Sequence, residues 1–226
     1  MSSKIWNRDE PWLRSTEAIE KIRNIFCVGR NYRDHATELG NEVPAEPLIF
    51  GKSTHALASA SHPIKLPRGR ANIHHELEWV LFIARDHVVS RPFSDCVGGV
   101  ALGLDLTDRD AQNRLKAAGQ PWELAKGFPG SAVVTDFYTV QDWEEFSHLS
   151  FSLVSDGRAL QRATAAEMIF PWQVLVDYVG EHFGLQAGDI LYTGTPAGVG
   201  RLTAGQVLEF HVDGLMMART TVEKMG

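Results

Sequence analysis

The sequence predicts an α+β fold that is mostly β, with a few short helices. Three observations carry this. Apolar runs are short and closed by Gly or Pro, as in "IFCVG" and "PLIFG". Asp156-Gly157, a strong two-residue turn pair, sits inside "FSLVSDGRALQRA" and reads as a hairpin. Helical spacing is confined to brief segments.

Taken in order, "RSTEAIEKIRN" has cap-like Ser15 or Thr16 ahead of mixed apolar and charged residues and predicts a short helix or turn. "IFCV" is a buried strand ending at Gly29, and "NYRDHATELG" is a helix stopped by Gly40. Pro44 and Pro47 punctuate a loop that leads into a strand at Leu48–Phe50. Aromatic and branched residues make one strand of 73–84, and a Gly-rich strand in 95–119 closes at Asp105 before a polar, helix-prone segment. "AAEMIFPWQVLVDYVGEHFG" has helical spacing broken by Pro171 and ended by Gly184. "LQAGDILYTGTPAGVG" is a turn, a short strand and a Gly-rich loop, and "GQVLEFHVDGLMMARTTV" closes with another hairpin. With 226 residues, 44% of them hydrophobic, one main domain over 25–226 is expected, with a small N-terminal appendage over 1–24.

The net charge of -6, with no basic cluster, excludes nucleic acid as the expected partner and leaves a small anionic substrate in need of local positive charge. Cys27 and Cys96 form no C-x-x-C pair, which fits a reduced compartment and rules out a thiolate zinc site. "MSSKIWNRDEPWLRS" lacks an apolar leader core and no run reaches membrane-spanning length, so a cytoplasmic protein with no membrane partner is expected.

"NIHHELEWVLFIA" places Glu76 and Glu78 two positions apart at the start of an apolar strand, where alternate side chains share a face. Two like charges beside a buried run repel and resist desolvation, and a divalent cation resolves both problems. Asp105, also at a strand end, is the candidate third ligand. Three carboxylates and no thiolate favour Mg²⁺ or Mn²⁺, with Ca²⁺ as an alternative. On spacing alone, two solvated glutamates on an edge strand explain the motif as well. His74 and His75 face opposite ways and are the lesser ligand candidates. His35 and Glu38, at i and i+3, form either a general-base pair or a surface pair. Lys52 and Lys126 each follow apolar residues, where a lysine snorkels or is placed for a charge. Arg109 suits a substrate carboxylate or pairs with Asp108 or Asp110. "TGTPAGVG" offers amides and the hydroxyls of Thr193 and Thr195 to an anion.

In combination, "VGRNYRDHATELG", "PLIFGKSTHAL", "HHELEWVLFIAR", "GVALGLDLTDRDAQ", "GQPWELAKGF" and "LQAGDILYTGTPAGVG" resemble the fumarylacetoacetate hydrolase family, in its order, from about Ile25 to Gly200. The wording of 104–123 is most similar to its short branch of acylpyruvate hydrolases and oxaloacetate decarboxylase/tautomerases. The resemblance implies a mixed β-sandwich roll, a homodimer, and metal held by Glu76, Glu78 and Asp105. It makes His35 and Glu38 a dyad on a lid segment and Lys126 a catalytic lysine near the metal. It places Arg30, Arg109, Gln112 and Thr195 at substrate, and Lys52 is expected there as well. The chain departs from the family at "KGFPGSAV", where Gly127 and Pro129 replace Ser and Asp, at Gly51-Lys52-Ser53, which replaces the usual lysine-proline, and at Gln206, where an Asp often stands. The expected function is a metal-dependent hydrolase splitting acylpyruvates to pyruvate and a carboxylic acid through an enolate. Oxaloacetate tautomerisation or decarboxylation at the same site is the alternative, and a non-catalytic 2-oxo-acid-binding relative the remote one.

Overall fold

The structure is a computed structural model and describes residues 5–38 and 43–224. Its elements are α1 (Ser15–Lys21), β1 (Ile25–Gly29), α2 (Arg33–Glu38), β2 (Leu48–Lys52), β3 (Leu57–Ser59), β4 (Ile64–Leu66), β5 (Ile73–His75), β6 (Leu77–Ile83) and β7 (Val97–Asp105). There follow β8 (Thr107–Asp108), α3 (Arg109–Ala117), α4 (Glu123–Lys126), β9 (Ala132–Val134), α5 (Trp143–Ser147), β10 (Phe151–Ser155) and β11 (Arg158–Ala163). The chain closes with α6 (Trp172–Phe183), β12 (Ile190–Tyr192), β13 (Gly200–Arg201), β14 (Val207–Val212) and β15 (Leu215–Lys224).

The strands form a mixed seven-stranded sheet, β2-β1-β12-β6-β7-β9-β3, a five-stranded sheet, β11-β10-β14-β15-β4, and a small sheet, β13-β5-β8. The α+β, mostly β architecture expected from the sequence is therefore the one present. β6 runs through the middle of the large sheet and every one of its residues is buried, which is why "LEWVLFI" reads as an unbroken apolar run rather than an alternating one. Its odd residues, Leu77, Trp79, Leu81 and Ile83, pack toward the five-stranded sheet with Phe151 and Phe210. Its even residues, Val80 and Phe82, pack on the opposite face with Cys27, Phe137 and Tyr192. Residues ahead of β1 join both cores through Trp6, Leu13, Ala18 and Ile22.

Several boundaries differ from expectation for physical reasons. The strand expected over 73–84 is two strands, because the chain leaves the small sheet and enters the large one at Glu76. Ser15 does not cap α1: Arg14 holds the cap position, and the Ser15 amide and hydroxyl donate to Asp136 Oδ1 at 2.7 and 2.8 Å. Pro171 sits at the N-cap of α6, so the helix starts after it instead of running through. The stop expected at Gly40 lies outside the described residues. The hairpin at Asp156-Gly157 has both turn residues at positive φ, 50° and 71°, the geometry of a type I′ turn.

Gly103 explains why β7 is rich in glycine at the level of the site. A Cβ there would stand 2.7 Å from the Val133 carbonyl, 2.7 Å from Val80 and 2.8 Å from Tyr192. Gly103→Ala is expected to lower the unfolding free energy by about 1–3 kcal/mol in urea titrations, because the clash involves backbone as well as side chains.

Candidate metal and substrate site

The β6–β7 register builds the acidic cluster. Glu78 pairs with Gly103 and Leu77 with Leu104, so the next position along sets Glu76 against Asp105, whose amide donates to the Glu76 carbonyl at 2.9 Å. Facing residues of an antiparallel pair share a side, so Glu76, Glu78 and Asp105 all point away from Leu77 and Leu104. Their ligand oxygens lie within 4.8 Å of one another and all three residues are buried. Glu76 and Glu78 share a side as strand spacing requires, although Glu76 itself lies between two strands.

Cations crowd the cluster. Lys126 Nζ donates to Glu76 Oε2 at 2.6 Å and to Asp105 Oδ2 at 2.5 Å. Arg109 donates through one Nη to Glu76 Oε1 and through the other to Gln112 Oε1, each at 2.6 Å. It pairs with neither Asp108 nor Asp110. Asp108 caps α3 by accepting from the Ala111 amide at 3.1 Å, and Asp110 accepts from Asn72 at 2.7 Å. Lys52, expected at substrate, stands behind Asp105 instead. Its Nζ is 2.6 Å from Asp105 Oδ1 and donates to the carbonyls of Lys126, Ser131 and Leu106, so it has no hydrogen left to offer outward. That same ammonium clamps the "KGFPGS" turn, where Ser131 Oγ donates to the Lys126 carbonyl at 2.6 Å.

A chamber of about 40 Å³ opens on the cluster and is lined by Arg30, His35, Gln112, Lys126 and Thr195 among others. His35 is buried, and its Nδ1 lies 3.4 Å from Glu38 Oε2. Glu38 also accepts from the Gly198 amide at 3.2 Å, tying α2 to the "TGTPAGVG" loop. Burial pulls the His35 pKa below its ordinary value, against the opposing pull of Glu76 and Glu38. The Thr195 hydroxyl is committed inward, donating to the Leu77 carbonyl at 2.9 Å and accepting from Gln161 Nε2 at 2.8 Å. Gln161 Oε1 in turn accepts from the Leu77 amide at 2.9 Å and meets His75 Nδ1 at 2.8 Å. His75 is thus a braced structural residue, and neither it nor His74 joins the cluster.

Several participants carried no sequence signal of their own. Gln161 lies far from the other site residues in the chain and reaches them only through folding, and Asn31, next to Arg30, was not singled out. Asn31 Nδ2 donates to the Thr193 carbonyl at 2.8 Å and its Oδ1 accepts from the Phe170 amide at 2.8 Å. Gly194, at φ 97°, is needed where a Cβ would stand 2.5 Å from Asn31 Cβ, and its amide donates to Glu78 Oε2 at 2.7 Å. Lys116, Phe50 and Trp122 complete the chamber wall. Lys116 was within reach of pattern reasoning, since it falls four residues after Gln112 on one helix face.

The donor set fits a hard divalent cation. Glu78 is 1% exposed, and among the described residues its carboxylate has one backbone donor and no ion-pair partner. Burial first, then Asp105 and Glu76, push its pKa well up. Lys126 and Arg109 overcome burial at Glu76 and hold that carboxyl well below the usual range. Asp105 Oδ1 is buried and accepts no directed hydrogen bond. Oxygen donors alone suit Mg²⁺, Mn²⁺ or Ca²⁺ better than zinc.

The family model for the fumarylacetoacetate hydrolase C-terminal region matches residues 24–223. The chain is 37% identical over 201 residues to the mitochondrial oxaloacetate tautomerase of Caenorhabditis elegans, covering 88% of this chain and 94% of that one. It is 36% identical over 196 residues to the oxaloacetate tautomerase of Escherichia coli K12, covering 85% and 90%. Its fold matches the crystal structure of fumarylpyruvate hydrolase from Pseudomonas aeruginosa in complex with Mn²⁺ and pyruvate at a TM-score of 0.78, with 32% identity and 90% of each chain covered. Among the described residues no helix is long and apolar enough to cross a membrane.

Two outcomes are expected from this geometry. Saturating Mn²⁺ raises the melting temperature of the native protein, and Glu78→Gln removes most of that rise, as thermal scans with and without the ion will read. Lys52→Met costs about 1–3 kcal/mol in urea unfolding because it removes one of the two cations on buried Asp105 and leaves the carbonyls it holds without that donor. Were Lys52 a surface contact for substrate, stability would hardly move.

Proposed function

The chain belongs to the fumarylacetoacetate hydrolase family, and we propose that it is a divalent-metal-dependent oxaloacetate tautomerase that also decarboxylates oxaloacetate at the same site. The observation that carries this reading is that His35, whose pKa burial holds below its ordinary value, shares one small chamber with the carboxylate triad. Acylpyruvate hydrolysis, placed first on sequence grounds, takes second place, because the oxaloacetate tautomerases are 37% and 36% identical to this chain and the fumarylpyruvate hydrolase 32%.

Formal charge supports a dianionic substrate. Glu76, Glu78 and Asp105 are balanced by Lys52, Arg109 and Lys126. A divalent ion added to that neutral set leaves two positive charges, which a 2-oxo diacid neutralises. Such an ion, held by Glu76, Glu78 and Asp105, would supply a Lewis acid for the substrate's 2-keto oxygen and adjoining carboxylate.

The residues of the chain do the proton work. The contact of His35 Nδ1 with the Glu38 carboxylate selects the tautomer that leaves Nε2 free as a base. Nε2 takes a proton from C3 of the keto form, the electrons move to the 2-oxygen, and the imidazolium returns the proton to that oxygen to give the enol. Decarboxylation uses the same electron sink. The C3–C4 bond breaks, CO₂ leaves, the electrons of that bond are delocalised onto the 2-oxygen, and C3 of the pyruvate enolate takes a proton from solvent, relayed through His35. Lys126 and Arg109 fix the triad's oxygens and add positive potential beside the developing enolate.

A second reading is favoured by the fold match to the fumarylpyruvate hydrolase: the same base activates water against a distal carbonyl. With Mg²⁺, the protein is expected to speed the loss of enol-oxaloacetate absorbance above the rate with Mg²⁺ alone, and a chelator removes the effect. His35→Gln lowers kcat by about 10²–10⁴-fold with a small change in KM. Because the base must be neutral and its pKa is lowered, kcat/KM holds as pH falls to the ordinary histidine range and drops only below it. Cleavage of fumarylpyruvate or acetylpyruvate without any acceleration of oxaloacetate tautomerisation overturns the reading in favour of the hydrolase.

A further inference from the structure

We propose that Lys116, together with Arg30, seats the second carboxylate of the substrate and so selects 2-oxo dicarboxylates over monocarboxylates. The inference rests on the oxaloacetate reading and deepens it to a residue.

Five cationic side chains stand at or behind the chamber wall. Three of them are committed: Lys52 and Lys126 to Asp105, and Lys126 and Arg109 to Glu76. Arg30 and Lys116 also line the chamber, yet among the described residues neither makes an ion pair or a side-chain hydrogen bond. Two uncompensated cations on one wall repel each other, and burial, then Arg30, then Arg109 pull the Lys116 pKa down. An anion between them reverses that cost.

The backbone supports the placement. Arg109, Gln112 and Lys116 are spaced i, i+3, i+7 on α3, so they form one stripe along the helix. Arg109 and Gln112 mark its end over Glu76. Lys116 lies one turn further on, about 6 Å along the axis. A substrate whose 2-keto acid head sits at the triad would therefore direct its other end toward Lys116. Arg30 also lines the chamber, from the loop after β1, and holds φ at 58°, a left-handed conformation unfavourable for a non-glycine residue. Such strain persists where the surrounding structure needs the side chain in one place.

The test uses the Mg²⁺-loaded protein, with oxaloacetate as the dicarboxylate and pyruvate as the same head without a distal carboxylate. Lys116→Met is expected to raise the KM for oxaloacetate about tenfold or more, the loss of one charge-assisted contact, with kcat within about threefold. The inhibition constant of pyruvate is expected to stay within about twofold, and Lys116→Arg to restore most of the affinity. An unchanged KM, or equal weakening of oxaloacetate and pyruvate, overturns the subsite. Titration calorimetry with both ligands needs no turnover and separates the two claims. Selective loss of oxaloacetate binding in Lys116→Met upholds the subsite even if the wild-type protein fails to tautomerise oxaloacetate, an outcome that refutes only the reaction.

Discussion

Keeping Glu76, Glu78 and Asp105 together out of water is the constraint around which the chain is built. Each carboxylate brought inside loses hydration worth several kcal/mol, and each raises the cost of its neighbours. Lys52, Lys126 and Arg109 offset that cost from three directions, and they come from three separate segments, β2, α4 and the start of α3. The ends of these segments are held in turn by side chains bonded to backbone: the "KGFPGS" turn by the Lys52 ammonium, α3 by the Asp108 carboxylate at its cap. Among the described residues Glu78 alone of the three has no direct ion-pair partner, which suits the cluster to a cation as well as to an ion-pair network.

The fold was legible wherever turn chemistry and apolar runs agree. β1, β2, β6, β7 and the Asp156-Gly157 hairpin follow directly from the residues. The small β13-β5-β8 sheet escaped notice because its strands are two or three residues long and too short to show a period. The carboxylate cluster was readable because strand periodicity is local and Asp105 ends its own strand. Lys52 was not readable in the same way. Whether a lysine faces a cavity or lies behind a ligand depends on the turn packed over it, and only the folded "KGFPGS" segment decides that. Gln161 shows the same limit: its amide links Leu77, His75 and Thr195 across more than half the described chain, a tie that no spacing rule encodes.

The chamber has a division of labour along one axis. At its inner end the charges are fixed by short contacts and cannot rearrange without exposing a buried ion. Beyond Arg109 and Gln112, one turn further along α3, Lys116 is exposed and among the described residues makes no ion pair. A rigid inner end suits the common 2-oxo acid head, whereas a looser outer end is where substrates of one reaction class differ from those of another. The departures at Gly127 and Pro129 fall on the rigid side, where the loop is closed by Ser131 rather than left open.

Because Glu76 and Asp105 meet at one end of the β6–β7 pair, the connection between those strands lies at the other end, 84–96, a full strand length away. Val88 and Val89 are exposed there and Ser90 turns through positive φ. Length changes in this connection leave the register untouched, whereas a one-residue slip within the strands would turn the carboxylates to the opposite face. The molecule therefore separates a region open to evolutionary insertion or to an engineered reporter from a region where even a single added residue is lethal to the site.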